Sequence, residues 1–394
     1  MHALPTFMEI ASQLHAALDA AAGRLASGSH VGCSLALLPD VALRGLSHHW
    51  GVVELVGQGN SFQLVVGVGK EILVEAAASI LGREHKQEGG MGANNNKLPL
   101  IGPVVDCLAH DTTALLLLLF PAHNSLWNAR RRWLTFNVNR DSKNGGHGGS
   151  FLLHELLLTS LLVSFHHKMQ EVWVHRWWVV QRLASRNVIC AEVFHQHDRA
   201  VLLEASDKHR MNYHSWNYRR QAVTFYLLNT QGGSGGSALA LSSITLLQEE
   251  VDTTIRFFET HNGDASAVSY LTFLLKQSQT IDSSCVFVRG MWAKLMTTTS
   301  RELRRHCDKG HEAVWVLRLA LVHWAMKVRL ACGWTLQDEL DFVNLFAELP
   351  QWPCAEHVLN DRVTWEGVQG SWRGTSYYAA WYGSQLVKWL RAPF

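Results

Sequence analysis

The sequence predicts an all-α fold, a solenoid of stacked helical hairpins, from three observations. The first is a Trp followed three residues later by Arg, in the pairs Trp127 and Arg130, Trp173 and Arg176, Trp216 and Arg219, and Trp315 and Arg318. The second is an acid in phase with it: Glu155, Asp198 and Glu250 stand at one constant interval before Trp173, Trp216 and Val268. Seven residues after each acid comes Leu162, Ala205 or Phe257. The third is that long apolar segments keep helical spacing after residue 100, where strand signals are sparse. Two unrelated features that recur together mark a structural repeat.

Each repeat reads as one hairpin. Its first helix is expected to begin near the acid, whose charge suits a helix N-terminus. A short polar break leads into a second helix carrying the Trp and the Arg. Those two share a helical face, so the indole can fill the seam between hairpins while the guanidinium stacks or pairs with a neighbouring acid. A lone hairpin cannot bury its apolar face, and stacking the copies makes a continuous core. One copy is degenerate, with Val268 and Leu271 in the Trp and Arg places, and the last has Gly383 where Arg would sit.

Residues 1–100 are expected to form an N-terminal helical region and residues 101–394 the repeat solenoid. The opening segment, Met1 to Leu25, alternates apolar and polar residues at helical spacing and includes acids, which reads as a structural helix and not a targeting segment. Val52 to Val68 reads either as a β-hairpin or as a helix pair with a loop between. Gly-rich runs at 89–96, 143–149 and 231–237 read as flexible connectors.

Composition narrows the function. Of 394 residues, 47% are apolar and 17% charged, enough for a sizeable core. A net charge of +2 argues against a dedicated nucleic-acid binder. The most apolar stretch, Phe151 to Phe165, contains His154 and Glu155 and is too short for a membrane span. Seven scattered cysteines with no C-x-x-C pair fit reduced thiols and a cytoplasmic location. No metal site is expected: the histidine pairs 48/49, 166/167 and 195/197 lack cysteine or carboxylate at finger spacing and read as surface or capping residues. Gly232 to Gly236 matches G-x-S-x-G but has no strand before it, and Gly57-Gln58-Gly59 and Gly67 to Lys70 are incomplete nucleotide loops.

The segment Asn212-Tyr213-His214-Ser215-Trp216-Asn217-Tyr218-Arg219-Arg220 resembles the N-Y-x-x-W-x-x-R repeat of protein prenyltransferase alpha subunits, and the other copies resemble it more loosely. The resemblance covers roughly residues 100 to 390 and is nearest to a divergent, repeat-containing branch of that family. It implies a right-handed alpha-alpha superhelix, similar to tetratricopeptide arrays, wrapped around a beta subunit that holds a catalytic zinc and the isoprenoid pocket. No cofactor is then expected in this chain, and a prenyl diphosphate is the co-substrate. The implied partner is a beta subunit of the Rab geranylgeranyltransferase type, and the implied substrate a protein such as a farnesylated SNARE.

The resemblance also implies roles for particular residues. Lys168 stands where alpha subunits place a lysine toward the partner's active site, and Tyr213 and His214 match the catalytic-facing start of the third motif. A cation and hydrogen-bond donors there can stabilise a departing diphosphate. Asn212 and Glu171 fall at positions implied to contact substrate, Glu171 replacing a glutamine that donates to a terminal carboxylate, which a glutamate cannot do. Gln170 departs from the family's usual tyrosine. The alternative is a non-catalytic helical-repeat scaffold that binds proteins without supporting transfer.

Overall fold

The structure is a computed structural model that describes residues 3–38, 42, 50–75, 77–78, 110–143, 149–186, 188–231, 242–281, 286–305, 312–330, 333–345, 379, 381–383 and 385–386. It divides into two compact units, Met1–Leu241 and Ser242–Phe394.

The first unit opens with α1 (Ala3–Ala26), then strands β1 (His30–Leu38), β2 (Gly51–Gln58) and β3 (Ser61–Gly69). The three form one sheet in the order β1-β3-β2, with β1 parallel to β3 and β2 antiparallel to it. The helical reading of the first hundred residues is therefore corrected over 30–38 and 51–69, and Val52 to Val68 is a β-hairpin. Its two strands are rich in Val and Leu, which suit a pleated, half-buried surface. Gly59, with φ of 58°, makes the tight turn between them.

Three helical hairpins follow in the same unit: α2 (His110–Leu119) with α3 (Asn124–Lys143), α4 (Gly149–Phe165) with α5 (Gln170–Leu183), and α6 (Ala191–Lys208) with α7 (Tyr213–Gln231). The second unit continues with α8 (Ser243–Thr260) and α9 (Ala265–Ile281), α10 (Val286–Arg305) and α11 (Glu312–Lys327), and α12 (Leu336–Asn344). Among the described residues the repeat region is all-α, as expected. In each hairpin the first helix is the A helix and the second the B helix.

The acids do not begin their helices. Glu155, Asp198 and Glu250 lie about two turns into α4, α6 and α8 and are buried. A buried carboxylate needs a paired charge more than a helix N-terminus can offer. The repeat arginine supplies it from the preceding hairpin. Arg130 of α3 pairs with Glu155 of α4 through two contacts of 2.8 and 2.5 Å. Arg176 of α5 donates to Asp198 of α6 at 3.0 and 2.8 Å. Arg318 of α11 pairs through two nitrogens with Glu339 of α12.

The rest of each guanidinium turns to its own A helix. Arg130 donates to the His110 carbonyl and Thr113 hydroxyl, Arg176 to the Leu156 carbonyl and the Thr159 and Ser160 hydroxyls, and Arg318 to the Met296 carbonyl and the Thr299 and Ser300 hydroxyls. One side chain thus joins three helices. The acid in turn accepts from its own B helix: Glu155 lies 2.7 Å from His175 Nε2, Asp198 accepts from Tyr218 at 2.7 Å, and Glu250 from Tyr270 at 2.7 Å. Tyr382 makes the equivalent bond to Glu339 at 2.5 Å. Arg219 also donates to Asp198, at 2.6 Å.

Burial alone would raise the Asp198 carboxyl, but Arg176 and Arg219 outweigh it and bring it down to about 2. Burial opposes ionisation of Glu155 too, yet Arg130, with His110 and His175, holds it well below the usual carboxylate range. Both acids are charged inside the protein, and charge-assisted bonds are the strong ones.

Two further readings change. His195 and His197 are buried, not surface residues. The connector read at 143–149 ends in a packed residue: Gly149 is buried in the first turn of α4, where a Cβ would come within 2.2 Å of the Val188 side chain. His48, His49 and the Gly-rich runs at 89–96 and 232–237 lie outside the described residues.

β1 is an edge strand, and helices satisfy its free side. Leu35 N–H donates to the Ser164 hydroxyl at 2.9 Å, and His197 Nδ1 lies 3.0 Å from the Val31 carbonyl. Covering an edge in this way removes a template for aggregation. Cys33, buried beside α4, has a thiol pushed up to about 12, first by burial, and is an inert core residue.

His197 gives a pH dependence. Its Nδ1 lies 3.0 Å from the Val31 carbonyl and its Nε2 3.1 Å from the Ser160 hydroxyl. Burial, aided by Arg176, lowers it to about 3, whereas the unfolded histidine titrates near 6.5. Between these values the unfolded chain binds a proton that the folded one refuses, so stability is lost as pH falls from about 6.5 toward 3. Asp198 adds a loss of the same sign below about pH 4, because its folded value lies beneath the ordinary carboxylate range. Urea unfolding from pH 7 to 4.5 should show falling stability, with a shallower slope in His197→Gln; equal slopes would remove His197 from the account.

Candidate functional site: an edge of interhelix turns

The turns that join A to B helices in the first unit are tied in series. Two indoles close their own turns: Trp127 Nε1 donates to the Pro121 carbonyl at 2.7 Å and Trp173 Nε1 to the His167 carbonyl at 3.0 Å. Adjacent turns are then linked. His166 Nε2 lies 2.9 Å from the Leu118 carbonyl, joining the second turn to the end of α2. Asn212 Nδ2 donates to the His167 carbonyl at 2.9 Å, joining the third turn to the second. Lys208 reinforces this by donating to the Ser164 carbonyl at 3.2 Å. The pair His166 and His167 does act in capping, since His167 Nδ1 lies 2.7 Å from the Val163 carbonyl.

This edge holds the residues singled out from the sequence. Lys168 is exposed in the second turn, one residue beyond the carbonyl that Asn212 grips. Glu171 is half-buried in the first turn of α5. Tyr213 opens α7 and is 63% exposed, with half-buried His214 beside it. Met211, just before Asn212, has φ of 54°, a conformation rare for a side chain of its size. Asn212 itself is fully buried: its amide donates also to the Ala205 carbonyl, and its oxygen receives the Ser215 N–H at 3.4 Å. The amide implied to meet substrate is committed to the turns.

Chemically the edge presents the Lys168 ammonium, the Tyr213 phenol and the His214 imidazole on turns whose backbone is hydrogen-bonded in series. Exposed Phe120, Phe165 and Met211 flank them, an apolar surround that suits a protein partner.

A second group of titratable side chains comes together elsewhere in this unit. His15, His110 and His154 each bring a ring nitrogen within 4.8 Å of the others. Spacing along the chain could not reveal them, because they come from α1, α2 and α4.

Comparison with known proteins finds relatives among alpha-subunit repeat proteins. The chain is similar to protein prenyltransferase alpha subunits. It is 28% identical over 182 residues to protein prenyltransferase alpha subunit repeat-containing protein 1 of Danio rerio, covering 42% of this chain and 37% of that protein. The Homo sapiens protein of the same name is 26% identical over 193 residues, or 45% of this chain and 42% of that one. The geranylgeranyl transferase type-2 subunit alpha of Saccharomyces cerevisiae is 22% identical over 259 residues, 64% of this chain and 67% of that subunit. The chain thus spans about two fifths of the repeat-containing relatives. No family model matches it. The relatives are named as alpha-subunit or alpha-subunit repeat proteins, and this chain carries its in-phase Trp and Arg positions on helical hairpins.

Asn212→Ala should lower stability by about 1 to 2 kcal/mol, since it removes an N-cap and the bond between turns. Thermal unfolding measures it; an unchanged midpoint would show that the turns are held otherwise.

Proposed function

We propose that this chain is the alpha-type subunit of a heterodimeric protein prenyltransferase, supporting geranylgeranyl transfer to a protein cysteine. The observation that carries the proposal is the locked row of turns presenting Lys168, Tyr213 and His214 in the repeat register of alpha subunits. The similarity to a geranylgeranyl transferase alpha subunit supports it. The partner is a beta subunit of the Rab geranylgeranyltransferase type, and the protein substrate is of the farnesylated SNARE kind. No helix among the described residues is long and apolar enough to cross a membrane.

In transfer, the substrate sulfur bonds to C1 of the isoprenoid as the C1–O bond breaks and diphosphate leaves with the electron pair. Zinc held by the beta subunit would supply the thiolate for this step. The work of this chain is at the leaving group. Lys168 places an ammonium where negative charge grows, on a turn whose neighbours are fixed by Asn212 and Trp173, so little reorganisation is needed. Tyr213 and His214 add donors from the start of α7. Glu171 cannot donate to a terminal carboxylate and would repel one, by about 4 kcal/mol at 4 Å with an effective dielectric near 20. Recognition then rests on a folded protein surface and not on a short C-terminal peptide.

Lys168→Ala in the heterodimer reconstituted with a Rab-type beta subunit should lower kcat about ten-fold or more. Assembly should be intact, because the side chain is exposed. Unchanged turnover would remove Lys168 from the chemistry, and failure of the two chains to associate would overturn the proposal itself.

A further inference from the structure

We propose that His15, His110 and His154 form a three-imidazole site for a divalent first-row transition ion such as zinc, clamping α1 to the first two hairpins. One ring nitrogen from each lies within 4.8 Å of the others. The rings cluster edge-on or tilted, with centroids 4.9 Å apart for His15 and His154, 5.6 Å for His110 and His154 and 6.4 Å for His15 and His110.

The innermost ring supplies the independent sign of a ligand. His154 is 2% exposed, and its Nε2 has no hydrogen-bond partner among the described residues. Leaving a buried polar atom unmatched costs about 1 to 3 kcal/mol, and a bound ion would remove that cost.

The surroundings fit such an ion. Asp111 Oδ1 lies 3.0 Å from His15 Nδ1 and 3.4 Å from His110 Nδ1, a carboxylate placed to orient two of the rings and to offset positive charge. Zinc–nitrogen bonds of about 2.0 to 2.1 Å put tetrahedral ligands about 3.3 Å apart. His15, whose side chain is 37% exposed, has the freedom to close the remaining distance. A pocket of about 290 Å³ reaches His110 from the Trp133 and Phe136 side of α3.

Two contacts compete. Asp19 Oδ2 lies 3.2 Å from His15 Nε2, a half-exposed contact within α1 that the ring can exchange for an ion, and Arg130 Nη2 lies 2.8 Å from His110 Nε2. That guanidinium keeps its bonds to Glu155 and to the α2 backbone if the ring turns to an ion. A set of neutral imidazoles selects zinc, copper, nickel or cobalt over magnesium or calcium.

The test is calorimetric titration of the chelator-stripped full chain with Zn²⁺, with thermal unfolding alongside and Mg²⁺ as control. The expected result is one tight site per chain and a raised thermal midpoint with Zn²⁺ alone. His15→Ala, a half-exposed position that spares the core, should weaken binding at least ten-fold and abolish the shift while leaving the metal-free midpoint unchanged. His209→Ala, an exposed histidine elsewhere, should bind as the parent does. Absence of Zn²⁺ binding, or equal affinity in His15→Ala, would overturn the proposal.

Discussion

The repeat depends on a buried ion pair that crosses from one hairpin to the next. An arginine on a B helix reaches the carboxylate of the following A helix while its remaining N–H groups grip its own A helix. Stacking of apolar faces is non-directional and would tolerate slippage between hairpins. A guanidinium that must meet a carboxylate, a carbonyl and a hydroxyl at once tolerates none. The pair therefore sets register, and its worth lies in specificity as much as in stability, since an apolar replacement of both partners is often neutral.

The degenerate repeat supports this reading. Leu271 occupies the arginine place on α9 and is fully buried. In the following hairpin Arg318 donates to the Met296 carbonyl as Arg176 does to the Leu156 carbonyl, so fully buried Leu295 holds the place of Glu155, and it carries no charge. Both members are missing together, as they must be if an unpaired buried charge costs several kcal/mol. Glu250, the acid of the preceding A helix, keeps the bond from its own tyrosine. Trp315 and Arg318 then resume the pattern, with Glu339 and Tyr382 completing it.

Much of this was legible in the sequence because a repeat prints the same physical demand several times. The hairpins, the Trp and Arg positions and the acids in phase with them were all visible. The role of the acid was not: a constant interval to the Trp says that it matters, but only the packed structure places it mid-helix and opposite the arginine of the previous copy. The N-terminal sheet was half legible. β2 and β3 are joined by a two-residue turn and could be read locally, whereas β1 pairs in parallel across an intervening strand and leaves no short-range sign. The same limit hid His15, His110 and His154, each unremarkable on its own helix. Lys168 and Tyr213 were singled out by resemblance, and the structure adds the bonds from Asn212 and His166 that link their turns into one edge.

The measurement that bears most directly on the register pair is a double-mutant cycle on Arg318 and Glu339, followed by urea unfolding. Arg318→Met and Glu339→Gln should each cost about 3 to 5 kcal/mol, as breaking a buried pair does. The glutamine still accepts from Tyr382, so the double variant should cost far less than the sum, with a coupling of about 2 kcal/mol or more. Additive losses would show that the two side chains stabilise the hairpins independently, and the arginine–acid pair would then not be what holds the repeats in register.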